Sequence, residues 1–231
     1  MTRLMLVGVL VPWVAVAQET KAQETTAEPA AVAVSEEARR ENFGGVVVPA
    51  TMPDGATAVS GWVGVPEVGA AYRQGVGGWE IGARGRFDYL RLAVTGEAVG
   101  RVQVWTDTEA WTVATELGLG VTGNTGSRYF DEQNLKGWFL RLNPAVVASW
   151  KVAETVTAVG LVEVPYDLGL SPSGTWRVKP MAGAGAEIYL GEDLSLSAVG
   201  ELGVDIFKEL RGVTQTRLGY GVRLGLGVRL F

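Results

Sequence analysis

The ionisable residues that recur at ordered places in this chain are Glu80, Arg84, Glu97, Arg101, Glu116, Arg141, Glu163, Arg177, Glu187, Glu201 and Arg223. Acids and bases are mixed, and apolar side chains alternate with them. Two kinds of chemistry suit such a set: a lining that selects among charged solutes, or a network of ion pairs that fills an interior. General acid–base catalysis near neutral pH most often draws on histidine, and nucleophilic or metal chemistry on histidine or cysteine. The sequence contains neither residue. The adjacent carboxylates Asp131 and Glu132 sit in a polar stretch and read as a solvated pair. The glycine-leucine repeats at 118–120 and 224–227 open no helix, so neither reads as a phosphate loop. The chain is therefore expected to be no enzyme, with no catalytic residue, cofactor or metal ligand. A formal net charge of −5 without a basic patch leaves no expectation of a nucleic-acid partner.

The elements that would position these charges follow a period of two. Over residues 79–89, Trp79, Ile81, Ala83, Phe87 and Tyr89 share one face, and Glu80, Arg84, Arg86 and Asp88 the other. The same alternation runs through 92–104, 111–121, 138–150, 153–166, 174–190, 193–206 and 214–231, which makes eight strands. An earlier pair, 57–65 and 68–74 around Pro66, reads as a hairpin and raises the total to ten, the preferred number. Both totals are even, as in single-chain bacterial barrels. Connections alternate in length, with the longest at 122–137, 165–174 and 207–214. The short link near Asp88–Arg91 breaks this alternation. Pro144 and Pro180 each remove a ladder donor inside a strand, and a bulge is expected at each.

Ahead of these strands, Arg3, an apolar run from Leu4 to Trp13 and the Ala15-Val16-Ala17 triplet form the pattern of a secretory signal peptide over residues 1–17. Residues 18–56 begin polar and alanine-rich and read as a flexible periplasmic leader. The barrel is assigned to 57–231.

Tryptophan marks the strand ends: Trp79, Trp105, Trp111 and Trp150 beside short turns, Trp138 and Trp176 beside long loops. Trp138 and Trp150 are separated by about 30 Å along the axis of a barrel tilted near 40°. Two aromatic girdles around an apolar band have that spacing. The polar face is crowded with glycine and other small residues and poor in lysine, which suits a narrow interior. The predicted fold is all-β: a closed antiparallel transmembrane β-barrel of 8–10 strands with its arginine face inside.

With its signal pattern, alternating strands, girdles and terminal Phe231, the chain resembles small bacterial outer-membrane β-barrel proteins of the OmpA-transmembrane-domain, OmpX and OmpW type. The resemblance covers roughly residues 57–231 and is architectural. It implies a Gram-negative outer-membrane location, contact with outer-membrane lipid, and recognition by the barrel-assembly machinery through Phe231. Phe231 lies one residue out of register with Leu230, Val228 and Leu226. The expected role is structural or surface-interacting, with a lumen filled by side chains and an extracellular ligand, if any, meeting loop 122–137. Two alternatives stay open at this point: a narrow, porin-like channel for small solutes or ions, and a soluble periplasmic lipid-binding barrel.

Overall fold

The structure is a computed structural model that describes residues 47–48, 52, 54–107, 111–126, 135–191, 193–209 and 212–230. The stretch read as a signal peptide, most of the stretch read as a leader, Phe231 and the 127–134 part of the long loop lie outside the described residues. By chain contacts the protein divides into residues 1–33 and 34–231. All described secondary structure belongs to the second unit.

Its strands are β1 (Thr57–Val65), β2 (Glu67–Val76), β3 (Trp79–Asp88), β4 (Ala93–Thr106), β5 (Trp111–Asn124), β6 (Gly137–Ala153), β7 (Val156–Glu163), β8 (Tyr166–Ser171), β9 (Ser173–Val178), β10 (Met181–Tyr189), β11 (Leu194–Lys208) and β12 (Thr214–Leu230). Ten close a ring of antiparallel neighbours, β1 through β7, then β10, β11 and β12 back to β1. β8 and β9 stand outside that cycle. β8 pairs with β6 and β9, and β9 with β11.

These two strands correct the long loop expected at 165–174. The segment is a hairpin that raises the barrel wall. β6 pairs through Ala145 with Glu163 of β7 and through Leu142 with Tyr166 of β8, so its register continues across the break. The break itself is made by prolines. The Pro144, Pro165 and Pro180 carbonyls accept from the Val164, Lys179 and Val204 amides at 3.0, 2.9 and 3.0 Å. Each proline forfeits only the return bond of its pair. The bulges expected at Pro144 and Pro180 are therefore absent: Pro144 stays opposite Leu117 with no register shift, and Pro180 occupies the gap between β9 and β10. Irregularities fall instead at Gln103/Trp105, Trp138/Phe139, Lys151/Ala153 and Leu168/Leu170.

Stepping sideways from Val59 through Tyr72, Ala83, Ala98, Leu119, Leu142, Tyr166, Val178, Ile206 and Thr216 returns to β1 displaced by about 12 residues. For ten strands this stagger gives a tilt of about 40° and a backbone radius of about 10 Å. The end with short turns is nearly level, while the opposite rim slopes. β1 stops at Val65, opposite Val222, and β12 continues through Thr214–Gly221 beside β11, about 26 Å more of strand. The short links at Pro66 and at 89–92 lie on the low side of this rim. The slope explains why Asp88–Arg91 broke the alternation of connection lengths.

The outward face is apolar and exposed on strand after strand. Val63, Ile81, Val94, Leu119, Leu140, Val162, Ile188, Leu202 and Leu224 exemplify it. Charged side chains occupy the inside, where most of them are buried.

Candidate functional site

Inside a barrel of this radius, opposing walls are close enough for long side chains to meet. The lumen is built in three tiers, each organised around carboxylates shared by several arginines. Nearest the short turns, Glu80 pairs with Arg73 at 2.7 Å, and Arg101 clasps Glu116 through two nitrogens at 3.0 and 2.7 Å. In the middle tier the Glu97 side chain is fully buried and meets Arg84 at 2.7 Å, Arg86 at 3.0 Å and Arg141 at 2.9 Å. Arg84 also reaches Glu116 at 2.8 Å, joining the two tiers. Asn143, wholly buried, is best satisfied with its amide oxygen facing Arg84 and Arg86 at 3.1 and 2.9 Å.

Towards the sloping rim, Asp205 receives Arg177, Arg217 and Arg91 at 2.6, 2.6 and 3.0 Å. Asp88 holds Arg91 at 2.9 Å, and Asp167 holds Arg141 at 3.3 Å. Along the β12 side, Arg223 pairs with Glu201 and stands 3.7 Å from Glu67, and Glu163 lies 4.0 Å from Arg86. Above Asp205, Phe139, Phe207 and Leu135 form a buried apolar cap, with Arg217 over the Phe207 ring at 5.0 Å.

All eleven charged residues singled out from the sequence point into this interior and join its network of charges. Glu187 also has a further role. Its carboxylate accepts the backbone amides of Val47 and Val48 at 3.3 and 3.0 Å, and the Ser195 hydroxyl at 2.7 Å. Arg101 donates to the Val47 and Val48 carbonyls at 3.4 Å each. Val48 is buried against Val147, Val159, Leu161 and Val199, one apolar patch on the inner face. Closer to β1, Met52 packs on Ala56 and Ala58, and the Asp54 carboxylate accepts the Gly77 amide at 2.5 Å. The described part of the stretch read as a flexible leader is thus packed, and Val47–Val48 occupies the lumen.

Composition hid this because the preceding residues are polar. The signal available was on the partner strands, where valine and leucine interrupt the inward polar series. Arg73, Asp167 and Arg217 were also missed as lumen residues, although the period of two places them inside. Trp62 is a further surprise. Its indole turns inward and packs over Gly69, where a Cβ would collide with the ring. Beside it lies a lumenal cavity of about 100 Å³, lined by Val47, Trp62, Arg73, Val99, Val147 and Leu161 among others.

On the outer surface Trp79, Trp105, Trp111, Trp138 and Trp150 are exposed, and Trp176 is half-buried. Trp111 and Trp150 stack across β5 and β6 with centroids 5.5 Å apart and planes 4° from parallel.

No family model matches the chain, and no curated protein matches it. Among solved structures it is similar to de novo designed transmembrane β-barrels, at 16% identity and a TM-score of 0.31 over 78% of this chain and 99% of that one. It is also similar to an S-type phycobiliprotein lyase, CPES, from Guillardia theta, at 12% identity and a TM-score of 0.24 over 77% and 88% of the two chains. What the chain's own geometry establishes is an all-β, closed, ten-strand antiparallel barrel with two additional strands, a charged interior and an apolar exterior.

Proposed function

We propose that the protein is a non-enzymatic β-barrel of the bacterial outer membrane, with a structural or surface-interaction role and a filled lumen. One observation carries this reading: the apolar side of every strand of the ring faces outward, while the ions are buried inside. In water, an exposed apolar belt of this extent would drive association, because soluble monomers rarely expose contiguous apolar patches beyond a few hundred Å². In lipid the same belt is the favoured surface, and ring closure satisfies the backbone polar groups that hydrocarbon cannot. The tryptophans near the strand ends suit the two interfaces.

The arrangement weighs against both alternatives. A lipid carrier would present an oily lumen, whereas this one is largely salt-bridged. A channel needs a continuous aqueous path, and here Val47–Val48, the Glu97 tier and the Phe139/Phe207 cap succeed one another along the axis. Barrel-assembly recognition through Phe231 and an extracellular ligand at loop 122–137 remain part of the proposal, resting on the sequence resemblance.

Cell fractionation with gel mobility tests the reading. The expected outcome is recovery in the outer-membrane fraction, extraction only by detergent, and a mobility shift on boiling in SDS. Recovery from the soluble periplasm without detergent would refute it.

A further inference from the structure

The tier beneath the sloping rim holds more positive charge than its carboxylates match. Asp205 serves three guanidinium groups at once, and Asp88 engages Arg91. A fourth cation comes from Lys179, which lies between Val178, opposite Ile206, and Met181, opposite Gly203, and so is level with Asp205. Its side chain crosses the inner face of β12 at Gly219, where a Cβ would stand 3.3 Å from the lysine Cε. Among the described residues its ammonium has no hydrogen-bond or ion-pair partner. Arg91 adds a second orphan: its Nε is buried and unpartnered, although both its terminal nitrogens are engaged.

The neighbouring carboxylates are committed elsewhere. Glu67 lies 3.7 Å from both Arg86 and Arg223, Glu201 pairs with Arg223, Asp167 with Arg141, and Glu163 lies near Arg86. Lys179 and Arg91 border a cavity of about 50 Å³, together with Pro66, Glu67, Arg177 and Tyr220. It lies beneath the step in the rim, where β1 and β2 end at Pro66 and β12 rises past them. At about 10–15 Å³ for each water, the space takes about three to five waters or one small oxyanion.

We propose that this notch binds a small oxyanion, a phosphate or carboxylate group, through the Lys179 ammonium, with the Arg91 guanidinium at the cavity wall adding positive charge. Arg177 and Arg217 supply further positive charge from behind Asp205. The site is independent of the membrane assignment, since it is built wholly from inward-facing residues of the barrel.

The test titrates the detergent-folded full chain at low salt with inorganic phosphate, and in parallel with phosphatidic acid in mixed micelles, followed by calorimetry. Saturable binding in the first arm identifies a free anion, and binding in the second alone identifies a lipid headgroup. Lys179→Met should weaken binding about tenfold or more, since a hydrogen bond to a charged group is lost. Lys179→Arg should retain it, as should Lys151→Met at the exposed opposite end. Absence of saturable binding in both arms overturns the proposal, as does an affinity unchanged by Lys179→Met. Should that variant fail to fold, Lys179→Gln replaces it: the charge goes while a polar side chain stays, and an unchanged affinity there overturns the proposal.

Discussion

Replacing Glu97 by Gln keeps the side-chain shape and removes the charge that three guanidinium groups share. The carboxylate is fully buried and lies 2.7, 3.0 and 2.9 Å from Arg84, Arg86 and Arg141. Removing one member of a buried ion pair costs about 3–5 kcal/mol, because the partner charge is left buried and uncompensated. Three arginines do not triple this figure. Arg84 keeps Glu116 at 2.8 Å, Arg141 keeps Asp167 at 3.3 Å, and Arg86 keeps its looser contacts with Glu67 and Glu163 at 3.7 and 4.0 Å. The expected loss for Glu97→Gln is therefore about 3–5 kcal/mol. Urea unfolding of the barrel in lipid vesicles, followed by tryptophan fluorescence, measures it. Glu67→Gln is the control, since both contacts of that more exposed side chain are 3.7 Å, and it should cost less than about 1 kcal/mol. A Glu97→Gln stability within about 1 kcal/mol of the parent would refute the idea of a tight, dry network. The lumen would then be hydrated, and the channel reading would regain ground.

Glu187→Ala should release Val47–Val48 from the lumen; because the chain has no cysteine, a Val48→Cys reporter should change from protected to maleimide-reactive in that background, and continued protection would show that the valine socket alone holds the segment. Gly69→Ala should displace the Trp62 indole and cost about 1–3 kcal/mol through overpacking, read as an altered near-UV dichroism spectrum together with a lower unfolding midpoint. Leu224→Arg should impair folding into vesicles by about 2–4 kcal/mol, because it turns a charge towards lipid, and a folding yield equal to the parent's would count against the outward assignment. In planar bilayers the intact protein should give no steady openings, and a reproducible unitary conductance would contradict the filled lumen.

Much of this fold is legible in the sequence because a barrel wall leaves a strict local record. Residues of β4 and β11 face alternately the apolar exterior and the mostly polar interior of the barrel, so a period of two runs the length of the strand. Strand number could be read for the same reason, since each reversal resets the alternation. The ends of the strands were less readable. Nothing local distinguishes a long loop at 165–174 from a hairpin that prolongs the wall, because the pairing of Leu142 with Tyr166 and of Val178 with Ile206 depends on the stagger of the whole ring. Pro144 illustrates a second limit: whether a proline forces a bulge depends on what the opposite strand does, and here the loss is confined to one bond beside Val164. The lumen charges could be placed inside but not matched, because partners such as Arg91 and Asp205 are 114 residues apart in the chain. Val47–Val48 escaped notice because its binding surface is assembled from β4, β6, β7, β10 and β11.

The central claim is that the apolar face of the strands meets lipid, and β12 offers the most direct test. Single cysteines placed in turn at positions 218–228 of the cysteine-free chain, reconstituted in vesicles, can be offered a membrane-impermeant maleimide and a lipid-soluble one. The account predicts a period of two: Leu218, Tyr220, Val222, Leu224, Leu226 and Val228 sites react with the lipid-soluble reagent, and Gly219, Gly221, Arg223, Gly225 and Gly227 sites resist it. Reaction of the Val222, Leu224 and Leu226 sites with the water-soluble reagent, at rates matching an exposed loop site, would contradict the account and place the apolar face in water.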